Sequence, residues 1–405
     1  MNQINLGLIR EGKALPDKRV PFTPLQVQEL MQRFPYVKVF CQASHVRCFN
    51  DEEYAAVGVQ VVDELSHCDI LMGIKEVPPS LLIPDKTYLF FSHTIKKQPY
   101  NRGLLQSALA KRIRLIDYEA LKDNQDNRLV AFGRYAGIVG AYNGLWTFGR
   151  RHNAFSLKRA HECFDVNDLK LELRKAILPP IKIILTGSGR VGKGAMETLD
   201  TAGIRKVNPH DFLTRDYAEP VYVQLHSSDY HDRLAGGVFN RAEFHQQPNR
   251  YVSRFHEFTK VADVLIAGAF WNPGAPVLFT RKEMTDPAFR IKVIADVTCD
   301  INGSVPSTIR ATSIADPVYD FDPSTGTTYP GFSNDDYVTV MSIDNLPCEL
   351  PRSASEEFGR DLIDRILKPL IMEDPDKIIE RGTITQNGQL MPRFQYLDKY
   401  VRGEE

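Results

Sequence analysis

Along the first 130 residues, short apolar runs alternate with segments patterned for helix. Ile4–Ile9 reads as a strand. Thr23-Pro24 then opens a helix, with Thr as N-cap and Pro at the first helical position, carrying Leu25, Val27, Leu30 and Met31 toward Phe34. Tyr36–Cys41 returns as a strand, Asp51–Val57 as a short helix and Val59–Val62 as a strand. Asp69–Ile74 is a near-continuous apolar run, as a strand buried on both faces should be. Tyr88–Phe91, a helix over Leu104–Lys111 and the strand Ile113–Ile116 follow. This alternation predicts a parallel sheet with right-handed crossovers.

Residues 133–178 change character. Closely spaced small residues lead into a long helical pattern that runs to Leu178 and is stopped by Pro179-Pro180. Ile181–Leu185 begins a second alternating region, which includes Asp263–Ala267 and Arg290–Ala295. Between them, residues 208–258 are polar and rich in His and aromatics, and read as an insertion with short helices. Tyr337–Met341 is a strand. Ser353 to Glu356 then forms a capping box before a helix with Phe358, Leu362, Ile363, Ile366 and Leu370 on one face. The expected fold is α/β: two Rossmann-like domains with mainly parallel sheets and a cleft between them. The first is discontinuous, 1–135 plus 340–405, and carries substrate chemistry. The second, 136–339, binds the dinucleotide and holds the insertion.

The second region opens on Ile183-Ile184-Leu185-Thr186-Gly187-Ser188-Gly189-Arg190-Val191-Gly192-Lys193-Gly194, a buried strand followed by GxGxxG and a helix. In that context Gly187 makes the tight turn, Gly189 lets amides reach a pyrophosphate, and Gly192 lets the helix pack against the strand. The helix N-terminus adds partial positive charge. Gly187, Ser188, Gly189, Arg190, Val191 and Gly192 are the expected cofactor contacts. Choosing NAD or NADP turns on the second strand, expected to end near Val207 to Asp211, where Pro209 and His210 interrupt. Asp211 could take a ribose hydroxyl, and Arg190, Arg205 or Lys206 a 2′-phosphate. The balance leans slightly to NADP(H).

In open parallel sheets ligands bind beyond the carboxyl ends of the strands. After the first domain's strands come Asp17, Lys18 and Arg19, then Lys75 and Glu76, then His93 and Lys96, then Asp117 and Glu119, with Arg128 shortly after. Each alone has an ordinary reading as a solvated or capping residue; four strands aiming charges at one rim do not. Arg19, Lys96 and Arg128 suit carboxylates. Lys75 and His93 can change protonation near neutral pH when crowded, with Glu76 and Glu119 tuning them. Cations, two proton carriers and a facing nicotinamide suit reductive amination of a keto acid, or its reverse.

Composition narrows the partners. A net charge of −1 gives no basic excess for nucleic acid or anionic membrane. The longest apolar stretch, Val264 to Trp271, is too short to span a bilayer. Six scattered cysteines show no metal-ligand spacing and suit a reducing compartment, so a cytoplasmic protein without a metal is expected. His226, His231, His245 and His256 read as surface or structural. Trp271 could border the nicotinamide, and Cys299 reads as core.

Several motifs carry a resemblance. Lys18-Arg19-Val-Pro-Phe-Thr-Pro24 is similar to the opening of the alanine dehydrogenase/transhydrogenase N-terminal superfamily. GIKEVP at 73–78, FFSHTIK at 90–96, IRLIDYE at 113–119, VAFGRYAG at 130–137, RYVSRF at 250–255, LFTRKE at 278–283 and SIDNLPCELPRSASEEFG at 342–359 are more specific. Together they resemble the lysine-forming saccharopine dehydrogenases and lysine–ketoglutarate reductases, from about residue 4 to 400. The resemblance implies interconversion of saccharopine with lysine and 2-oxoglutarate using NAD(P). It implies Lys75 as acid–base lysine and His93 as catalytic histidine. Arg19, Lys96 and Arg128 become the substrate-carboxylate cations, Glu119 an acidic partner, and Asp344 the aspartate of SIDNLP on the cofactor side. Glu76 follows the fungal pattern, where the animal reductase has a basic residue. Two other readings are an alanine dehydrogenase-like enzyme and a non-catalytic dinucleotide-binding module.

Overall fold

The structure is a computed structural model describing residues 3–12 and 17–404. The chain divides into two compact units, Met1–Phe132 with Pro351–Glu405, and Gly133–Leu350. Both are α/β with mainly parallel sheets.

In the first unit, β1 (Ile4–Leu8), β2 (Val37–Gln42), β3 (Gln60–Val62), β4 (Ile70–Met72), β5 (Thr87–Phe90) and β6 (Arg114–Asp117) lie in the order β3-β2-β1-β4-β5-β6, all parallel. The order reverses direction between β1 and β4, the place where such sheets open a ligand crevice. The register aligns the strand ends: Leu8 faces Met72, Met72 faces Leu89, and Phe90 faces Asp117. The residues following β1, β4, β5 and β6 therefore emerge on one edge.

The first helix, Pro24–Arg33, is fixed by a reciprocal cap. Gln26 N donates to Thr23 Oγ1 at 3.3 Å, and Thr23 N donates to Gln26 Oε1 at 3.0 Å. Gln26 Nε2 also reaches Glu356 O at 2.6 Å, tying down the returning C-terminal helix Pro351–Asp361. That helix does not begin with a Ser353 capping box. Its first residue is Pro351, which has no N–H to satisfy. Ser355 is used elsewhere: its Oγ accepts from Val20 N at 2.9 Å.

In the second unit, β7 (Lys182–Thr186), β8 (Arg205–Val207), β9 (Val221–Leu225), a separate two-stranded ladder of β10 (His231–Arg233) and β11 (Tyr251–Ser253), β12 (Val264–Ala267), β13 (Val293–Asp296), β14 (Val318–Asp322), β15 (Thr327–Pro330) and β16 (Val338–Met341) are in chain order. The large sheet runs β15-β14-β16-β13-β12-β7-β9-β8, with β14 antiparallel to both its neighbours. Two expectations fail here. Val221–Leu225 is a buried strand beside β7, not part of a polar insertion; its five residues hide between polar flanks. β8, expected next to β7, is displaced to the edge. β16 pairs with β13, so the chain leaves this unit at Leu350, beyond the expected residue 340. β17 (Thr383–Gln386) and β18 (Gln389–Leu390) extend the first sheet beyond β6, with β17 antiparallel to it.

The long helical pattern from 133 is also interrupted. The helix Gly133–Arg151 ends where Asn153 adopts a left-handed φ of 47°, and a separate helix follows at Val166–Leu173. Gly133–Arg151 crosses the glycine-loop helix Arg190–Thr201 at backbone contact. A Cβ on Gly137 would lie 1.9 Å from Val191 O, and one on Gly194 would lie 1.9 Å from Arg134 O. Among the described residues, no helix is long and apolar enough to cross a membrane.

Candidate active site and dinucleotide groove

The first unit gathers its charged residues at the carboxyl edge of the sheet. Past β4, Lys75 is half-buried and Glu76 is buried. Past β5, His93 takes a left-handed φ of 52°, which turns its ring back so that Nδ1 lies 2.6 Å from Glu76 Oε1. A carboxylate on one ring nitrogen fixes the tautomer and the orientation of the ring. Past β6, Glu119 Oε1 meets Arg128 Nη2 at 3.0 Å and Lys96 Nζ at 3.5 Å. Glu119 Oε2 is buried without a hydrogen-bond partner among the described residues. Arg19 is buried, with Cζ 4.1 Å above the Phe132 ring, and Asp17 grips its Nε at 2.9 Å and its Nη2 at 2.5 Å. Phe132 in turn stacks on Phe358 from the returning helix, at 4.4 Å and 13°. Each of the three expected carboxylate-binding cations thus already faces a protein carboxylate. Such pairing holds a cation in place, and an incoming carboxylate must compete for it.

Two buried carboxyls support this edge. Asp117 accepts from Ser92 N at 3.0 Å, from Ser92 Oγ and from Glu119 N at 2.7 Å, and so joins the loops after β5 and β6. Burial raises its carboxyl above the ordinary range. Glu11, past β1, accepts from Ile74 N at 2.7 Å and Lys75 N at 3.0 Å. Lys75 is thereby anchored across the crevice between β1 and β4. A small cavity of about 150 Å³ here is lined by Glu11, Gln42, Lys75 and Glu76, among others.

In the second unit, Thr186 at the end of β7 faces Ala267 of β12 on one side and Leu225 of β9 on the other. Gly187 has a φ of 98°, and a Cβ there would lie 2.8 Å from Gly268 O. A Cβ on Gly192 would lie 2.3 Å from Gly187 O, so the helix could not close onto the turn. Gly189 is different: its Cβ would meet nothing within 4 Å and would project into open space. That is the fit expected where a pyrophosphate approaches amides and a helix N-terminus. The groove has a volume of about 560 Å³, and Gly187 to Val191 form its floor.

Comparison with known proteins follows this geometry. Residues 7–139 match the family described as Alanine dehydrogenase/PNT, N-terminal domain. Over that segment the chain is similar to this family. The mitochondrial alpha-aminoadipic semialdehyde synthase of Bos taurus is 30% identical over 449 residues, covering 99% of this chain and 48% of the relative. The chain therefore spans about half the length of that relative. The saccharopine dehydrogenase [NAD(+), L-lysine-forming] of Yarrowia lipolytica is 26% identical over 384 residues, covering 90% of this chain and 92% of the relative. Among solved structures, an L-alanine dehydrogenase superposes with a TM-score of 0.65 at 18% identity, over 98% of this chain and 100% of that one, which establishes the fold.

In the first unit, the structure brings together Lys75, Glu76 and His93, and separately Lys96, Glu119 and Arg128. Glu11 was missed by sequence reasoning; an acidic residue just past β1 was its one signal. In the second unit, Gly187 to Val191 line the groove, whereas Arg205 pairs with Glu219 at 2.8 Å and Lys206 donates to Gln224 Oε1 at 2.7 Å on the edge strand. Asp211 accepts from Asn208 and pairs with Arg215. None of these three lines the groove. Asp344, exposed past β16, is likewise not among its lining residues. His226 and His245, expected to be surface or structural, do line it, as does Phe270. Trp271 instead donates Nε1 to Ala275 O at 3.2 Å and packs with Phe244 and Tyr251. Cys299 donates Sγ–H to Ser342 O, and burial pushes its thiol up to about 12, so it is no nucleophile.

Glu11 yields a pH prediction. Burial first, then Asp17, raises its carboxyl from about 4.5 to about 7, against the two amides and Arg19. A folded-state value above the unfolded one means the folded protein holds the proton longer. The contribution to stability is complete below about pH 4.5 and is lost as pH rises through about 7, by at most about 3 kcal/mol. Urea titrations of Glu11→Gln should show a flatter decline across that window than the parent. An unchanged slope would assign the decline to other groups.

Proposed function

We propose that the chain is a saccharopine dehydrogenase (L-lysine-forming)/lysine–ketoglutarate reductase, an NAD(P)-dependent oxidoreductase acting on the CH–NH bond of a secondary amine. It would interconvert saccharopine with L-lysine and 2-oxoglutarate. The observation that carries this is the Glu76–His93 contact beside Lys75, at the carboxyl edge of one unit, in a chain whose other unit has a dinucleotide groove. The name of the Yarrowia lipolytica relative, matched over 90% of this chain, supports the same reaction.

In the amine-forming direction lysine's neutral ε-amine attacks the keto carbon of 2-oxoglutarate. Lys75 and His93 carry the protons: one passes from the attacking nitrogen to the alkoxide oxygen, and a second reaches the resulting hydroxyl, which departs as water and leaves a protonated imine. Each such transfer contributes on the order of 10²–10⁴-fold. Glu76 holds the His93 ring in position. Arg19, Lys96 and Arg128 orient the carboxylates, with Asp17 and Glu119 keeping those cations placed. Bound between Gly187 and Gly194, a reduced nicotinamide dinucleotide would supply hydride to the imine carbon. The cofactor is read as NAD(P)H, with NADP(H) favoured. Six free cysteines suit a reducing compartment such as the cytoplasm.

Oxidation of NADPH and NADH, followed at 2-oxoglutarate plus lysine and at pyruvate plus ammonia, tests the reading. Turnover confined to the first pair is the expected result. Turnover confined to the second would establish the alanine dehydrogenase-like alternative, which the family of residues 7–139 keeps in view. Cofactor affinity without turnover on either would favour the binding-module alternative.

A further inference from the structure

The strand order changes where the adenosine ribose must fall. In a doubly wound sheet, the ribose of the adenosine half lies at the end of the strand next to the glycine-loop strand, and a carboxylate there takes the 2′-hydroxyl of NAD. That neighbour is β9, not β8. β9 ends at Leu225, and His226-Ser227-Ser228 follow without a carboxylate. The next residue, Asp229, is turned back on the loop: its Oδ2 accepts from His226 N at 2.7 Å. The arginine and histidine side chains lining the groove are Arg190, His226, Arg241 and His245, and among the described residues no carboxylate lines it.

Arg241 comes from the segment between β10 and β11, which forms one wall of the groove. Its neighbours Arg233 and Arg250 are both held by Glu243, at 2.8 and 3.0 Å. Arg241 is exposed and makes no ion pair among the described residues. The wall itself is firm. Tyr251 donates its hydroxyl to Glu243 at 2.7 Å, Phe244 meets Tyr251 edge to face at 5.2 Å, and the buried His231 ring lies against Phe244 at 4.6 Å. A guanidinium presented by a packed element, in the same groove as two serine hydroxyls, suits a dianionic phosphate, which takes charge-assisted and bidentate hydrogen bonds.

Resting on the reading of this groove as a dinucleotide site, we propose that Ser227, Ser228 and Arg241 form a 2′-phosphate subsite that selects NADP(H) over NAD(H). The loop after β9 supplies its hydroxyls, and the segment between β10 and β11 supplies its guanidinium. The subsite leaves a free 2′-hydroxyl without its usual carboxylate, so discrimination works against NAD(H) as well as for NADP(H).

Calorimetry on the full chain with 2′,5′-ADP and with 5′-AMP tests this, alongside fluorescence titrations with NADPH and NADH. The phosphorylated ligand of each pair should bind about tenfold tighter or better, the yield of one charge-assisted contact. Arg241→Ala should weaken 2′,5′-ADP far more than 5′-AMP, and Ser227→Asp should turn the preference toward NADH. Equal affinities in the parent, or equal weakening of both mononucleotides by Arg241→Ala, overturns the subsite while the dinucleotide reading stands. If none of the four ligands binds, both readings fall together.

Discussion

Lys75→Met is expected to lower kcat with 2-oxoglutarate and lysine by about 10²–10⁴-fold, with the Kd for NADPH nearly unchanged. Methionine preserves the length and apolar stem of the side chain and removes only the titrating nitrogen. Lys75 follows β4, its amide is anchored by Glu11, and the groove that would hold the dinucleotide is built entirely from Gly133–Leu350. Losing an acid–base group therefore should leave cofactor binding intact. Parallel loss of turnover and cofactor affinity would refute the proton-transfer role. Glu76→Gln gives a graded companion: it keeps a hydrogen-bonding group at the place of the carboxylate 2.6 Å from His93 Nδ1 but removes the anion that fixes the ring's tautomer. Its kcat should fall by less than that of Lys75→Met, with the Kd for NADPH again nearly unchanged.

Gly194→Ala is expected to destabilise the second unit by about 3 kcal/mol or more and to abolish dinucleotide binding. A methyl on an exposed helical glycine would stabilise by about 1 kcal/mol through backbone entropy. Here that gain is outweighed, because the Cβ would fall 1.9 Å from Arg134 O, and a backbone carbonyl inside a helix cannot rotate away. The two helices must separate. Arg190–Thr201 would then carry its N-terminus and Gly189 off the floor of the groove. Chemical denaturation with NADPH titration checks both effects. A variant as stable as the parent would show that the crossing can relax.

The glycine loop was legible because its chemistry is local. A buried strand, a left-handed turn, an open approach and a helix N-terminus fall within twelve consecutive residues, so the spacing of glycines carries the geometry. Lys75, Glu76, His93, Glu119 and Arg128 were legible for a related reason: each follows an apolar run that had to be a strand, and parallel strands bring their ends to one edge. The resemblance of the surrounding motifs then attached roles to them.

Which partner each charge takes lay beyond the chain's local pattern. Asp17 gripping Arg19, Glu76 turned to His93 and Glu119 shared by Lys96 and Arg128 follow from loop conformations, such as the left-handed backbone at His93. Glu11 gains its raised carboxyl from burial, which outweighs the lowering by amides 63 and 64 residues away. Strand order was equally hidden, since nothing in VYVQL says that it pairs with β7 and displaces β8. Hydrophobic period and turn residues are properties of neighbours in the chain. Strand adjacency, burial of a carboxyl and the facing of two charges are set by contacts between distant segments, and it is those contacts that bring Ser227 and Arg241 to one groove.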